Sequence, residues 1–129
     1  MNRIDLSHID LSGRYLANAN LTNANLSNAD MTAANLTGAD LTGADLFNAD
    51  LSYAILDNAV LSYAILDSAV LSYADLHNAN LTDAILLNAT GLGTTTGAAL
   101  YNANTDFTGT GFDPVAAGWT LCEEERDDA

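Results

Sequence analysis

Ala39-Asp40-Leu41-Thr42-Gly43-Ala44-Asp45-Leu46-Phe47-Asn48-Ala49-Asp50-Leu51 is the stretch whose reading decides the fold. Leucine recurs at every fifth residue, and alanine stands two residues before each leucine. Outward from here the phase holds in both directions. Leucine occupies 6, 11, 16, 21 and 26, Met31 interrupts once, and leucine continues from 36 to 86 in the same step. Alanine keeps its place from Ala19 to Ala89. An α-helix advances about 500° in five residues, or about 140° net, so its leucines would scatter round the cylinder. A continuous strand alternates faces, which suits an Ala and a Leu two apart. The next Ala lies three residues beyond the Leu and would flip to the other side. Both face one core only if the chain turns a corner in every repeat.

Corners of about 90° close the path after four repeats, giving a square coil of about twenty residues whose stacked turns pair as parallel strands about 4.8 Å apart. Ser, Thr, Asn and Gly dominate the two corner positions and suit tight turns. Each interior leucine is worth roughly 2 kcal/mol on burial. No polar residue takes an inward position between Ala19 and Ala89, so the tube encloses no active site.

This Ala-Asp/Asn-Leu-x-x run resembles the pentapeptide-repeat family over residues 4 to 112. The resemblance implies an all-β fold, a right-handed quadrilateral parallel β-helix with Leu at the central inward position and Ala at the second. The stretch from Ala99-Leu100-Tyr101 through Thr105-Asp106-Phe107 and Gly111-Phe112-Asp113-Pro114 to Trp119 is similar to the closing segment of many cyanobacterial members. Residues 1–112 are then the solenoid, 113–122 a short helical cap and 123–129 an acidic tail. Asp113 followed by Pro114 reads as an N-cap and a first-turn proline, with Gly118 ending the turn and Trp119 over the open core. A second reading makes Trp119 an anchor for a homodimer.

At the other end Ile4, Ile9 and Arg14 replace alanine. The isoleucines are expected to plug the opening, and Arg14 to lie across it and reach water. An unpaired coil edge there is the other place for a homodimer. The Leu86 to Phe107 offset is 21, one more than four repeats, so one residue is inserted between 87 and 106. Ala99 and Tyr101 keep the original phase, which puts the insertion at Asn102-Ala103-Asn104.

The charge bounds the function. Seventeen acidic residues face three basic ones, for a net charge of -14. Such a surface repels nucleic acid and anionic membrane, and favours protein partners with basic surfaces. The bland account of the acidity is solubility. One cysteine, Cys122, allows no intrachain disulfide, and His8 and His77 have no second ligand at metal spacing. No cofactor and no catalytic residue is expected. With no leader or spanning segment in the sequence, a cytoplasmic location is expected.

Information for a partner lies where the exterior departs from monotony. The outward residue between Ala and Leu becomes Ile55, Val60, Ile65 and Val70, one on each side of one coil. Tyr53, Tyr63 and Tyr73 interleave with them, and Phe47 adds another exposed aromatic. Local β-branched packing and a ten-residue duplication (51–60 repeated as 61–70) account for these residues without function. An interaction surface is the sharper account. Stacking puts Tyr53 and Tyr73 on one side and Tyr63 on the opposite one.

The leading reading is a non-enzymatic structural or protein-interaction module, an acidic rod that binds a protein partner. Regulatory members that influence cell differentiation fit that role by resemblance. The alternative is a DNA mimic. Some members of the family resemble duplex DNA and bind DNA gyrase; here Asp30, Asp40, Asp45 and Asp50 would carry the mimicry. The charged end of this chain is unlike the apolar dimerisation helix of those members.

Overall fold

The structure is a computed structural model that describes residues 3–123. Parallel bridges link each outward residue to the one twenty positions on: Asp5 to Asn25, Asn25 to Asp45, Asp45 to Ile65, Ile65 to Ile85. Three further columns run the same way, through Asp10-Asp30-Asp50-Val70-Thr90, Tyr15-Asn35-Ile55-Asp75 and Asn20-Asp40-Val60-Asn80. The coil is therefore four-sided. Successive turns exchange two bonds per side; the Asn25 N–H donates to the Ile4 carbonyl at 2.8 Å and the Leu6 N–H to the Asn25 carbonyl at 2.7 Å.

Each corner is a four-residue turn. At one of them the Ala24 N–H donates to the Leu21 carbonyl at 3.0 Å, and the third residue, Asn23, has φ 59°. Positive φ at that place alone marks a type II turn and favours Gly or Asn. Gly38 and Gly43 and half of the asparagines sit there.

The outward Asp or Asn has a structural task at the next corner. Asp30 Oδ1 accepts from the Thr32 N–H at 3.0 Å and from its hydroxyl at 2.6 Å. Asp40 holds Thr42 likewise, and Asn20 holds Thr22. These are Asx turns, in which a short side chain replaces a backbone acceptor. The hydroxyls of Ser7, Ser12, Thr42 and Thr108, and then their N–H groups, hold the Asp5, Asp10, Asp40 and Asp106 carboxyls below the usual range.

The interior is the expected column of Leu and Ala, fully buried from Ala24 through Leu86. The first coil is different. Ile4 remains 57% exposed and Arg14 is exposed, while Leu6, Ile9, Leu11 and Leu16 are only partly buried. Ile4 thus does not plug the base, because nothing among the described residues lies beneath it to pack against.

The upper end is more irregular than one insertion. Asp75 bridges Thr96, Asn80 bridges Leu100 and Ile85 bridges Asp106. The offset is thus 21, then 20, then 21. The expected insertion at 102–104 is present, and an earlier extra residue enters beside the short 3-10 turn Leu92–Thr94 and is lost again before Ala99. Asn102 and Thr105, both buried, hold the wider corner: the Asn102 N–H donates to Thr105 Oγ1 at 3.0 Å, and that hydroxyl donates to the Leu81 carbonyl at 2.9 Å.

The helical cap does not form as a helix. Asp113 Oδ1 accepts from the Val115 N–H at 3.0 Å, so the N-cap is made. The Trp119 N–H already donates to the Pro114 carbonyl and the Gly118 N–H to the Val115 carbonyl, with Gly118 at φ 80°. That is the Schellman pattern that ends a helix. Start and stop signals stand so close that a single turn fits between them. The chain then rejoins the solenoid, because Thr120–Leu121 pairs in parallel with Leu100–Tyr101. Trp119 is buried, with its ring 4.8 Å from Phe112 and 5.9 Å from Phe107. Tyr101 lies 5.9 Å from Phe107 and completes the aromatic lid. Trp119 is thus committed to closing its own tube and is not exposed as a dimer anchor. The acidic tail lies, beyond Glu123, outside the described residues.

Candidate functional site

A coil that turns its repeat Leu and Ala inward can recognise a partner only with its exterior. The four belt residues occupy four columns, as the spacing requires. Ile55 and Ile65 are exposed at the outer surface; Val60 and Val70 are half-buried. Phe47 is exposed, and its N–H is held by Asp45 Oδ1 at 3.0 Å.

All three tyrosines stand at the positive-φ corner position, at 62°, 61° and 59° for Tyr53, Tyr63 and Tyr73. A bulky side chain there costs roughly 1–2 kcal/mol relative to a relaxed backbone. Tyr53 and Tyr73 stack with centroids 5.2 Å apart and planes at 17°. Both rings remain more than half exposed, at 60% and 57%. Tyr63 stands on the opposite side without an aromatic neighbour among the described residues.

The face that begins at the tyrosine pair continues through Ile55 and Asp75 in its middle to Asp57 and His77 at its far corner. Ile55 bridges Asp75, and the Asn58 N–H donates to the His77 carbonyl. Asp75 Oδ1 accepts from the His77 N–H at 3.1 Å. Burial pushes the Asp57 carboxyl up, the neighbouring Asp75 carboxyl with its like charge pushes it further, and His77 pulls it back in part. Asp57 Oδ1 is shut off from solvent and lacks a partner among the described residues. This carboxylate pair was missed in the sequence. The 18-residue diagonal from 57 to 75 would have shown it once coils of twenty were laid out. Tyr15, 77% exposed at the foot of the same column, was missed too.

The four acids considered for DNA mimicry are separated. Asp30 and Asp50 share a column with Asp10, while Asp40 and Asp45 lie on two other sides. Each accepts the backbone N–H two residues on, including Ser52 by Asp50 at 2.9 Å. No group of His, Cys, Asp and Glu among the described residues is arranged to hold a metal ion.

Four sides of parallel bridges around a Leu/Ala core define a β-solenoid of five-residue repeats. The chain belongs to the pentapeptide-repeat family: it matches eight copies of the repeat over residues 4–43 and 44–83, and the family's coil is a right-handed β-helix. It is similar to a pentapeptide repeat protein from the thylakoid lumen of Arabidopsis thaliana, at 32% identity and TM-score 0.58, over 82% of this chain. It spans 59% of that protein's length. It is also similar to a pentapeptide repeat protein from Nostoc, at 33% identity and TM-score 0.43, over 93% of this chain and 86% of the other. HetL of Nostoc, a pentapeptide repeat protein involved in heterocyst differentiation regulation, is 26% identical with TM-score 0.30, over 82% of this chain and 71% of HetL. No curated protein sequence matches the chain.

Proposed function

We propose that this chain is a non-enzymatic protein-binding scaffold, a rigid acidic solenoid that displays aromatic and aliphatic side chains in fixed columns to a protein partner. The observation that carries this reading is the tyrosine set. Most corners elsewhere use Asn or Gly at positive φ, His8, Ala33, Ser68 and Asp83 being the others, and folding alone has no use for three bulky tyrosines there. A stacked, half-exposed tyrosine pair beside Ile55 is the type of surface that partners bury.

The gyrase-mimic alternative has less support. Asp30, Asp40, Asp45 and Asp50 all have corner-capping work, and neutral Asn performs it equally at Asn20, Asn25 and Asn35.

The test is co-purification with the tagged wild-type chain and with the Tyr53→Ser/Tyr73→Ser variant, compared by quantitative mass spectrometry. A protein enriched on the wild type and depleted on the variant is the expected result. Identical protein sets would contradict the reading. Salt-sensitive inhibition of gyrase supercoiling, lost when the four aspartates become Asn, would establish the alternative instead.

A further inference from the structure

The face that runs from the tyrosine stack to Asp57 and His77 is left uncovered by the described residues and has two chemically distinct ends. One end is aromatic: Tyr53 and Tyr73 lie ring over ring and remain open to solvent. The other end is anionic: Asp75 bridges Ile55, its Oδ1 turns to the His77 N–H at 3.1 Å, and His77 lies one turn above Asp57, so the two carboxyls meet on a diagonal and their like charges act on each other. Ile55, exposed, lies between them.

The two carboxyls set the chemistry of the occupant. When both are ionised they repel, and among the described residues little cation lies near enough to offset this: Arg3 and Arg14 stand in the first coil, two to three turns below. His77 is the nearby basic group, and its backbone is already tied to Asp75. A planar guanidinium presents five N–H donors in a fixed fork and can serve two carboxylates at once; an ammonium is a compact point charge. The methylene stem of an arginine covers apolar surface while its head reaches the charge. The side chain two residues away in an extended segment shares the arginine's face and lies about 6.6 Å along, which takes it toward the tyrosines.

We propose that this face docks an extended segment of a partner protein that carries an arginine, with the guanidinium on Asp57 and Asp75, the stem over Ile55 and the apolar side chain two residues away on the Tyr53–Tyr73 stack. The inference rests on the protein-binding reading and specifies its site and partner chemistry. The opposite face does not share it. There the duplicated sequence supplies Tyr63, Ile65 and Asp67, but the residue in the place of Asp75 is Ile85, and Asp83 replaces the second tyrosine.

The probe is the peptide acetyl-Leu-Ala-Arg-amide, titrated into isotope-labelled full-length chain and followed by NMR. Acetyl-Leu-Ala-citrulline-amide, neutral and nearly isosteric, and acetyl-Leu-Ala-Lys-amide are the controls. Saturable shifts confined to Tyr53, Ile55, Asp57, Tyr73, Asp75 and His77 are expected with the arginine peptide. The lysine peptide is expected to bind several-fold more weakly, and the citrulline peptide to give no saturation. Asp57→Asn/Asp75→Asn should abolish the shifts; Asn retains the oxygen that caps His77, so the corner keeps its bond. Shifts spread evenly over acids on all four sides, or matched at Tyr63 and Asp67, would overturn the proposal. If co-purification depends on the tyrosines while the arginine peptide binds nowhere specifically, the arginine proposal fails and the scaffold reading stands.

Discussion

The Ile55 side and the Ile65 side of this tube are built from nearly the same ten residues, yet they differ as surfaces. Both begin with Ser-Tyr-Ala-Ile-Leu-Asp, and both bury the leucine completely. The difference comes from the coil above. Tyr73, Asp75 and His77 cover one copy; Asp83, Ile85 and Leu87 cover the other. One side thus acquires a tyrosine stack and a carboxylate pair, and the other an Ile65–Ile85 ladder. The meaning of a residue in a solenoid is set by what stands twenty positions away, as much as by its own repeat.

The interior should be blind to this difference. Leu56→Ala and Leu66→Ala each remove a fully buried side chain from equivalent positions. Each is expected to cost about 2–5 kcal/mol in chemical denaturation, and the two costs should agree within about 1 kcal/mol. A large inequality would mean that the two sides are not equivalent inside.

The tyrosines should separate the sides by a smaller amount. Tyr63→Gly relieves a bulky residue at positive φ and is expected to stabilise the chain by about 1 kcal/mol. Tyr53→Gly gives the same relief but loses the stack with Tyr73, worth about 0.5–1.5 kcal/mol, so it should be close to neutral. Equal stabilisation in thermal or urea melts would show that the stack contributes nothing.

The smallest effect is on protonation. Asp75→Ile gives the Ile55 side the neighbour that its opposite already has. The Asp57 carboxyl should then titrate lower, as followed by carboxyl carbon chemical shifts. The linkage has a definite sign. Asp57 holds its proton more tightly folded than unfolded, so stability falls as pH rises from the ordinary carboxylate value through the raised one. Asp5, Asp10, Asp40 and Asp106 act oppositely: their contribution, present above the ordinary value, is lost as pH falls through their lowered folded values. Asp57→Asn should therefore stabilise the chain at neutral pH, and the gain should vanish on acidification. A gain that persists at low pH would assign it to something other than charge.

Much of this was legible beforehand because the repeat is its own geometry. The five-residue step of Leu and Ala implies corners, the coil length and the columns, and with them the separation of Tyr63 from Tyr53 and Tyr73. The insertion at 102–104 followed from the phase of Ala99 and Tyr101. The capping task of the outward Asp and Asn was not read, because a hydrogen bond to the residue two on depends on a turn type that the pattern does not name. The earlier extra residue near Leu92 was hidden because it is cancelled before Ala99. Asp113-Pro114 and Gly118 are valid start and stop signals for a helix, but their closeness leaves room for only one turn. The isoleucines of the first coil have the bulk to fill an opening, but Ile4 has no neighbour beneath it. The Asp57–Asp75 pair escaped because it is a diagonal contact, outside both the repeat and the column.

The most direct measurement places a photo-crosslinking benzoylphenylalanine at Ile55 in one variant and at Ile65 in another, in cells that produce the chain. The two positions have similar exposure and nearly identical local sequence. The account predicts a protein adduct of discrete mass from position 55, and little or none from position 65. Equal adducts from both, or an adduct from position 65 alone, would contradict the assignment of recognition to the face with the tyrosine stack.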